Sequence, residues 1–194
     1  MSYPFVFQIF KDILETKRGW DIYKGYLNVN KGDKVLDIGC GTGDILRHLP
    51  KCEYYGFDIS KQYIKMAKRI YGDKGKFFEL NVLDYDLDDL TGKFDVVMAN
   101  RVIHHMNNTE VFSLYNKALE ALKKGGRFVS CDPCFNDSQS FFSRYLVSYD
   151  RGKFVRNDNV YVSIATKYFN NYSYNIYHNL LRCPYTDIIG LGIK

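Results

Sequence analysis

Nine residues, V-L-D-I-G-C-G-T-G at positions 35–43, constrain this chain more than any other stretch. An apolar run leads into an acid, and three glycines at alternating positions precede Asp44 and a renewed apolar periodicity. This pattern reads as a buried strand ending in a turn whose backbone must come close to something. Glycine permits the approach because it lacks a Cβ and tolerates positive φ. The helix expected next offers free amide N–H groups to the same ligand. The stretch therefore predicts a ligand site at the carboxyl edge of a parallel sheet.

The surrounding pattern supports that sheet. Residues 34–38, 54–57, 76–80, 94–99 and 127–131 read as five strands. A short helix follows the glycine turn, with Ile45, Leu46 and Leu49 apolar and Pro50 ending it. Ser60 caps a second helix, which buries Tyr63, Ile64, Ala67, Ile70 and Tyr71. Asn107 and Glu110 have capping-box spacing before a third, stopped by Gly125 and Gly126. The acidic run 84–89 reads as a loop or one helical turn. Strands alternating with helices at this spacing make βαβ units and an α/β fold.

Both ends depart from the alternation. Residues 5–14 place Phe5, Val6, Ile9, Phe10, Ile13 and Leu14 on one helical face, and Trp20, Tyr23 and Tyr26 continue its packing. After the fifth strand, Phe141, Phe142, Tyr145, Leu146 and Tyr149 form one amphipathic stripe; Val160, Tyr161, Ile164, Ala165, Tyr168 and Phe169 form another. Residues 172–180 and 187–193 then read as an antiparallel strand pair around Pro184. We read residues 1–194 as a single domain, with 1–28 as an N-terminal helical cap and 135–170 as a helical insertion or lid.

Charge and cysteine usage narrow the setting. Residues 1–100 carry 15 Lys/Arg against 15 Asp/Glu, whereas residues 101–194 carry 12 against 7, so the second half supplies the whole net charge of +5. A basic bias confined to one half points to an anionic partner met by that half. Five scattered cysteines, an odd number, fit reduced thiols in a cytoplasmic protein. Cys131 and Cys134 have the spacing of a metal pair, but no second pair completes a tetrahedral site, so no metal is expected. No apolar run approaches the roughly 20 residues of a membrane span. Met1–Phe10 lacks the basic region and cleavage site of a signal peptide.

Two ligands compete for the glycine turn. A dinucleotide wants G-x-G-x-x-G with its pyrophosphate on the helix N-terminus. Here Gly39 and Gly41 fit, but the third position is Asp44, and Asp37 adds a second negative charge. Two carboxylates would repel a pyrophosphate, so a cationic cofactor such as a sulfonium with an α-amino group fits better.

At this point the stretch resembles motif I of the class I S-adenosylmethionine-dependent methyltransferases of small-molecule type, and the resemblance extends over residues 30–135. Asp58 ends the second strand 19 residues beyond Gly39, and Asn81-Val82 ends the third. F-D-V-V-M-A-N-R-V-I-H-H-M (94–106) is similar to the family's fourth-strand segment, and L-K-K-G-G-R-F-V (122–129) to its junction into strand five. The resemblance implies a doubly wound, seven-stranded, mostly parallel sheet with helices on both faces and an antiparallel strand pair at the C-terminal end. It implies S-adenosyl-L-methionine as cofactor and S-adenosyl-L-homocysteine as product. Gly39, Cys40, Gly41 and Gly43 would then shape the wall beside the methionine portion, and Asp37 would hold its amino group. Asp58 would accept both ribose hydroxyls, and Ile59 would pack on adenine. Asn81, which stands where the family has an acid, and Val82 would meet the ring edge, with Asp84 as fallback. Asn100 would line the methyl-donor pocket.

The acceptor is less constrained. A base is needed only if the acceptor arrives protonated, and the candidates at the ends of strands four and five are His104, His105 and Asp132. Asn100-Arg101 is not followed by the Pro-Pro-Tyr that resembles base-methylating enzymes, which argues against nucleic acid as the partner. Arg144, Arg151 and Arg156 could face a phosphate or carboxylate. The leading expectation is methyl transfer to the oxygen of a small, anionic metabolite by a monomer or homodimer. The alternatives are an RNA or protein methyltransferase and a non-catalytic S-adenosylmethionine-binding protein.

Overall fold

The computed structural model describes residues 14–84 and 90–194. The expected helix over residues 5–14 and most of the acidic run 84–89 lie outside them. Helix α1 (Lys17–Leu27) starts where the Thr16 hydroxyl accepts from the Gly19 amide at 2.9 Å, and it ends at a left-handed Asn28. Strand β1 (Lys34–Ile38) runs into the glycine turn. Then come β2 (Glu53–Asp58), α2 (Lys61–Tyr71), β3 (Gly75–Glu79) and β4 (Phe94–Asn100). Ser60 caps α2 by accepting from the Tyr63 amide, as its position before an apolar stripe predicts. Helix α3 (Asn108–Ala121) opens with the expected capping box, in which Asn107 and Glu110 each accept the other's backbone N–H. Strand β5 (Leu122–Phe135) follows, then α4 (Phe141–Ser148), β6 (Arg156–Asn157), α5 (Asp158–Ala165), β7 (Asn171–Tyr177) and β8 (Asp187–Ile193).

The sheet order is β3-β2-β1-β4-β5-β8-β7, with β8 antiparallel to both neighbours and the other path pairings parallel. An eighth strand, the two-residue β6, pairs with the far end of β5 off this path. Side chains alternate between two cores, as period-2 geometry requires. Leu36, Val97, Ala99 and Phe128 face α3 and α5, while Val35, Val96, Met98 and Val129 face α1 and α2. The strand order reverses between β1 and β4, and this switch point opens a crevice at the carboxyl ends of the strands.

Two expectations need correction. The helix after the glycine turn is only a four-residue 3-10 turn, Asp44–Arg47. Pro50 lacks an amide N–H and disfavours a helical Leu49, so too few residues remain to propagate an α-helix. Strand five is longer than residues 127–131: it starts at Leu122 directly after α3 and continues past Pro133 to pair with β6.

Phe169 closes the larger core, 1% exposed, stacked on Phe128 at 5.5 Å and edge-on to Tyr115 at 5.9 Å. Phe169→Ala should lower stability by about 3–5 kcal/mol, read as a lower denaturant midpoint at an unchanged slope.

Candidate active site

The crevice at the switch point is lined by Asp37, Gly39, Cys40 and Asp44 from β1 and its turn, Met98 and Asn100 from β4, and Trp20 and Tyr23 from α1. Adjacent strands bring these together, since Asp37 lies opposite Met98 in the parallel register. Asp37 is buried and its carboxylate accepts from the Tyr54 hydroxyl at 2.5 Å. The Tyr23 hydroxyl, on a side chain 4% exposed, has no hydrogen-bond partner among the described residues.

The glycine turn spends its amides on its own chain. The Gly39 and Cys40 N–H groups both donate to the Phe57 carbonyl, at 2.7 and 3.0 Å, and Gly41 N–H donates to the Asp58 carboxylate at 2.8 Å. Gly43 N–H closes back on the Cys40 carbonyl at 3.0 Å. With only a 3-10 turn behind it, the site presents no helix N-terminus to an anion. Asp44 is also turned inward, paired with Arg47 at 2.7 Å and accepting from Thr42 at 2.8 Å. Gly41 has φ +54 and open space where a Cβ would stand, whereas a Cβ on Gly39 would press Val102 at 2.5 Å. The turn is thus an open cradle beside carboxylates, which suits a cationic cofactor.

Further along the same edge, Asp58 accepts from the Gly41 and Ser60 amides, and burial raises its carboxyl above the ordinary range despite those donors. Ile59 projects into solvent, 76% exposed. Asn81 is folded into its own turn: its carbonyl accepts from Leu83 N–H at 3.1 Å and its amide donates to Asp84 at 2.9 Å. Val82 is buried. Cys40 is partly buried against Gly56, and burial raises its thiol.

The ends of β4 and β5 are joined by a buried network around His104. Its Nδ1 lies 2.7 Å from the Asp132 carboxylate and its Nε2 lies 3.2 Å from Asp150. Asp150 also accepts from Gly152 N–H at 2.7 Å and from the Tyr185 hydroxyl at 2.5 Å. Burial disfavours the imidazolium, yet the two carboxylates outweigh it and lift His104 to about 9. Burial would likewise raise Asp150, but His104, Tyr185 and Gly152 hold it well below the usual carboxylate range. Gly152 is needed here for close approach, because a Cβ would stand 2.1 Å from the His104 ring. His105 differs. It is exposed, its ring centroid is 4.0 Å from that of His104, and partial burial together with that neighbouring charge lowers it below its ordinary value.

These placements correct two expectations. His104 is no free base, since both ring nitrogens face carboxylates and it holds its proton. Arg156 is no acceptor ligand, because its guanidinium donates to the carbonyls of Ile103, Phe154 and Met106 and to the Asn108 side chain. Arg144 and Arg151 remain exposed, Arg144 against the Phe135 ring and the Asn136 carbonyl. Sequence reading missed Asp150, Gly152, Tyr185 and the ion pair of part-exposed Arg101 with buried Asp187 at 2.8 Å. The one signal was the Asp-Arg-Gly turn between the two aromatic stripes. Cys131 and Cys134 are buried free thiols.

A methyltransferase-domain family model matches residues 29–182. The chain belongs to that family, within the class I S-adenosylmethionine-dependent methyltransferases. Solved neighbours of this fold include a phosphoethanolamine N-methyltransferase 2 of Haemonchus contortus in complex with S-adenosyl-L-methionine, at 22% identity and a TM-score of 0.67. The chain is 28% identical over 153 residues to an uncharacterized methyltransferase of Geobacillus sp. strain WCH70, covering 78% of this chain and 66% of that one. It is 27% identical over 140 residues to an uncharacterized protein of Methanocaldococcus jannaschii, of which it spans 37%. A SAM-dependent methyltransferase from Archaeoglobus fulgidus superposes with a TM-score of 0.73 at 19% identity, covering 92% of each chain. Phosphoethanolamine N-methyltransferase 2 of Haemonchus contortus, solved with phosphomonomethylethanolamine and S-adenosylhomocysteine, superposes with a TM-score of 0.67 at 22% identity over 83% of this chain and 38% of that one.

The His104 network makes a signed prediction. A folded-state value raised from about 6.5 to about 9 gives stability that is fully present below pH 6.5 and lost as pH rises through 9. Its size is roughly 3 kcal/mol. Denaturant unfolding on either side of this window should show the loss in the wild type, and His104→Gln should remove that part of the pH dependence.

Proposed function

We propose that this protein transfers a methyl group from S-adenosylmethionine to an oxygen of a small anionic metabolite. The observation that carries the reading is the asymmetry between the two histidines: both ring nitrogens of His104 face carboxylates, while the ring of its neighbour His105 is exposed, 4.0 Å away centroid to centroid. When bound, the cofactor would supply an electrophilic sulfonium methyl; the acceptor's in-line attack on that methyl would break the S–CH3 bond and release S-adenosylhomocysteine as the thioether leaving group. In this reading Asp37 holds the cofactor's amino group, Tyr23 offers its unpartnered hydroxyl beside it, and Asp58 accepts the ribose hydroxyls. The glycine cradle admits the methionine portion, Ile59 covers adenine, and Asn100 borders the reacting methyl. Val82 N–H meets the adenine ring edge, and Asn81 contributes through the turn it holds.

His105 accepts the acceptor's hydroxyl proton as the oxygen attacks. His104 and Asp132 are positioning residues: they fix the loop that carries His105, whose imidazole partial burial and then the His104 charge shift below its ordinary value. Residues 135–170, inserted in what we read as one domain, supply the acceptor side. Exposed Arg144, Arg151 and Lys153 there offer forks and a point charge to a phosphate or carboxylate. The phosphate-bearing acceptor analogue on the Haemonchus contortus enzyme supports an anionic class.

Three outcomes test the reading. Asp58→Ala should weaken S-adenosylmethionine binding at least about tenfold by calorimetry, the effect of losing charge-assisted hydrogen bonds. Unchanged affinity would remove Asp58 from the site. With methyl-labelled cofactor and a metabolite extract, labelled product should be retained on an anion exchanger; label confined to neutral or cationic fractions would sink the anionic acceptor. His105→Ala should lower that labelling about 10²–10⁴-fold with cofactor affinity intact. Full turnover would eliminate the base.

A further inference from the structure

Helix α4 is built inside out. Phe141, Phe142, Tyr145, Leu146 and Tyr149 at its C-cap all project into solvent, with Phe141 78%, Phe142 70% and Tyr149 72% exposed. At about 100° per residue these five fall within roughly 140° of one another. The side facing the protein is formed by Ser143, whose hydroxyl lies 2.5 Å from that of Thr186, and by buried Val147. A helix on a soluble core turns its apolar stripe inward. This one turns it out, and its aromatic rings pair with each other: Phe141 with Phe142 at 6.0 Å and Tyr145 with Tyr149 at 4.8 Å.

The charges around the stripe identify what it meets. Residues 136–155 contain Arg144, Arg151 and Lys153, all exposed, and two acids. Of those acids, Asp150 is tied up inside with His104 and Tyr185, which leaves Asp137 as the exposed one. The wider half shows the same sorting, because Asp132 and Asp187 are buried while its cations lie mostly outside. An aromatic stripe with tyrosine hydroxyls, flanked by cations, is the composition that settles at a bilayer interface. An isologous dimer through this face would set the three cations of one copy against those of the other, so charge disfavours a second copy.

We propose that α4 and the 150–156 turn form an interfacial docking surface for a membrane carrying anionic lipids. The phenylalanines and tyrosines enter the headgroup layer, and Arg144, Arg151 and Lys153 meet lipid phosphates. Tyr149 adjoins Asp150, so the docked face adjoins the His104 network and the acceptor side of the crevice, which would then face the membrane. The assignment does not depend on the base; it draws on the same Arg144, Arg151 and Lys153 that the proposed function turns toward the acceptor, and the phenylalanine variant tests docking apart from that role.

Vesicle co-sedimentation of the full chain tests it. The protein should pellet with phosphatidylcholine–phosphatidylglycerol vesicles but not with phosphatidylcholine alone. Binding should fall when salt rises from about 0.1 M to about 1 M, where the screening length drops from about 10 Å to about 3 Å. Phe141→Ser with Phe142→Ser, and separately Arg151→Glu with Lys153→Glu, should each reduce the vesicle affinity by about tenfold or more. Calorimetry with S-adenosylmethionine should show cofactor affinity unchanged in both, which separates lost docking from lost folding. Failure of the wild-type chain to pellet with anionic vesicles, including because a second copy or residues 1–13 already cover the face, overturns the proposal. So does binding that both variants retain, or a solution dimer that the phenylalanine variant dissociates.

Discussion

The site depends on one buried imidazolium. His104 sits between Asp132 at the end of β5 and Asp150 in the segment after α4, and its own backbone N–H adds a second bond to Asp132. Removing His104 would leave the Asp132 and Asp150 carboxylates in the interior without the cation between them, which costs several kcal/mol. The same contact fastens three parts of the chain. Phe154 N–H donates to the His104 carbonyl, Arg156 gathers the carbonyls of Ile103 and Met106, and Tyr185 reaches Asp150 from the approach to β8. The segment following β5 is therefore clasped to the segment following β4, next to the cofactor crevice.

The crevice itself is selective through what its backbone has already used. In a phosphate-binding turn the free amides point at the ligand. Here the amides of Gly39, Cys40, Gly41 and Gly43 are satisfied by Phe57, Asp58 and Cys40, and the polar side chains lining the space include Asp37, Tyr23 and Asn100. Truncation of the next helix by Pro50 removes the dipole that a pyrophosphate would need. Electrostatics and backbone bonding thus agree in favouring a cation over a pyrophosphate at this turn.

How legible was this in the sequence? The strands were, because β1 and β4 are buried on both faces and read as continuous apolar runs, and the helix starts were, because Ser60 and the Asn107–Glu110 box bond locally. Asp37 and Asp58 could be placed because strand ends place them. The length of the element after Gly43 was not legible, since three apolar residues satisfy a helix pattern whether or not a full turn forms. Nor was the fate of the charged residues in 144–156. One of the arginines is consumed by carbonyls 48 to 53 residues away and the others are exposed, although all share one composition. The aromatic stripe of α4 was legible as a stripe; its outward direction was not.

The sequence by itself determined the alternating architecture, the glycine turn and the sign of charge beside it, since these follow from periodicity, local capping and residue identity. Tertiary structure decided which histidine is charged, which arginine is structural and which way α4 faces. Those outcomes depend on burial and on partners distant in the chain, which local pattern does not encode. Val35 to Gly43 sets the strand, the turn and the charge beside it; Asp150, 46 residues after His104, decides how the segment after β5 is held to the segment after β4.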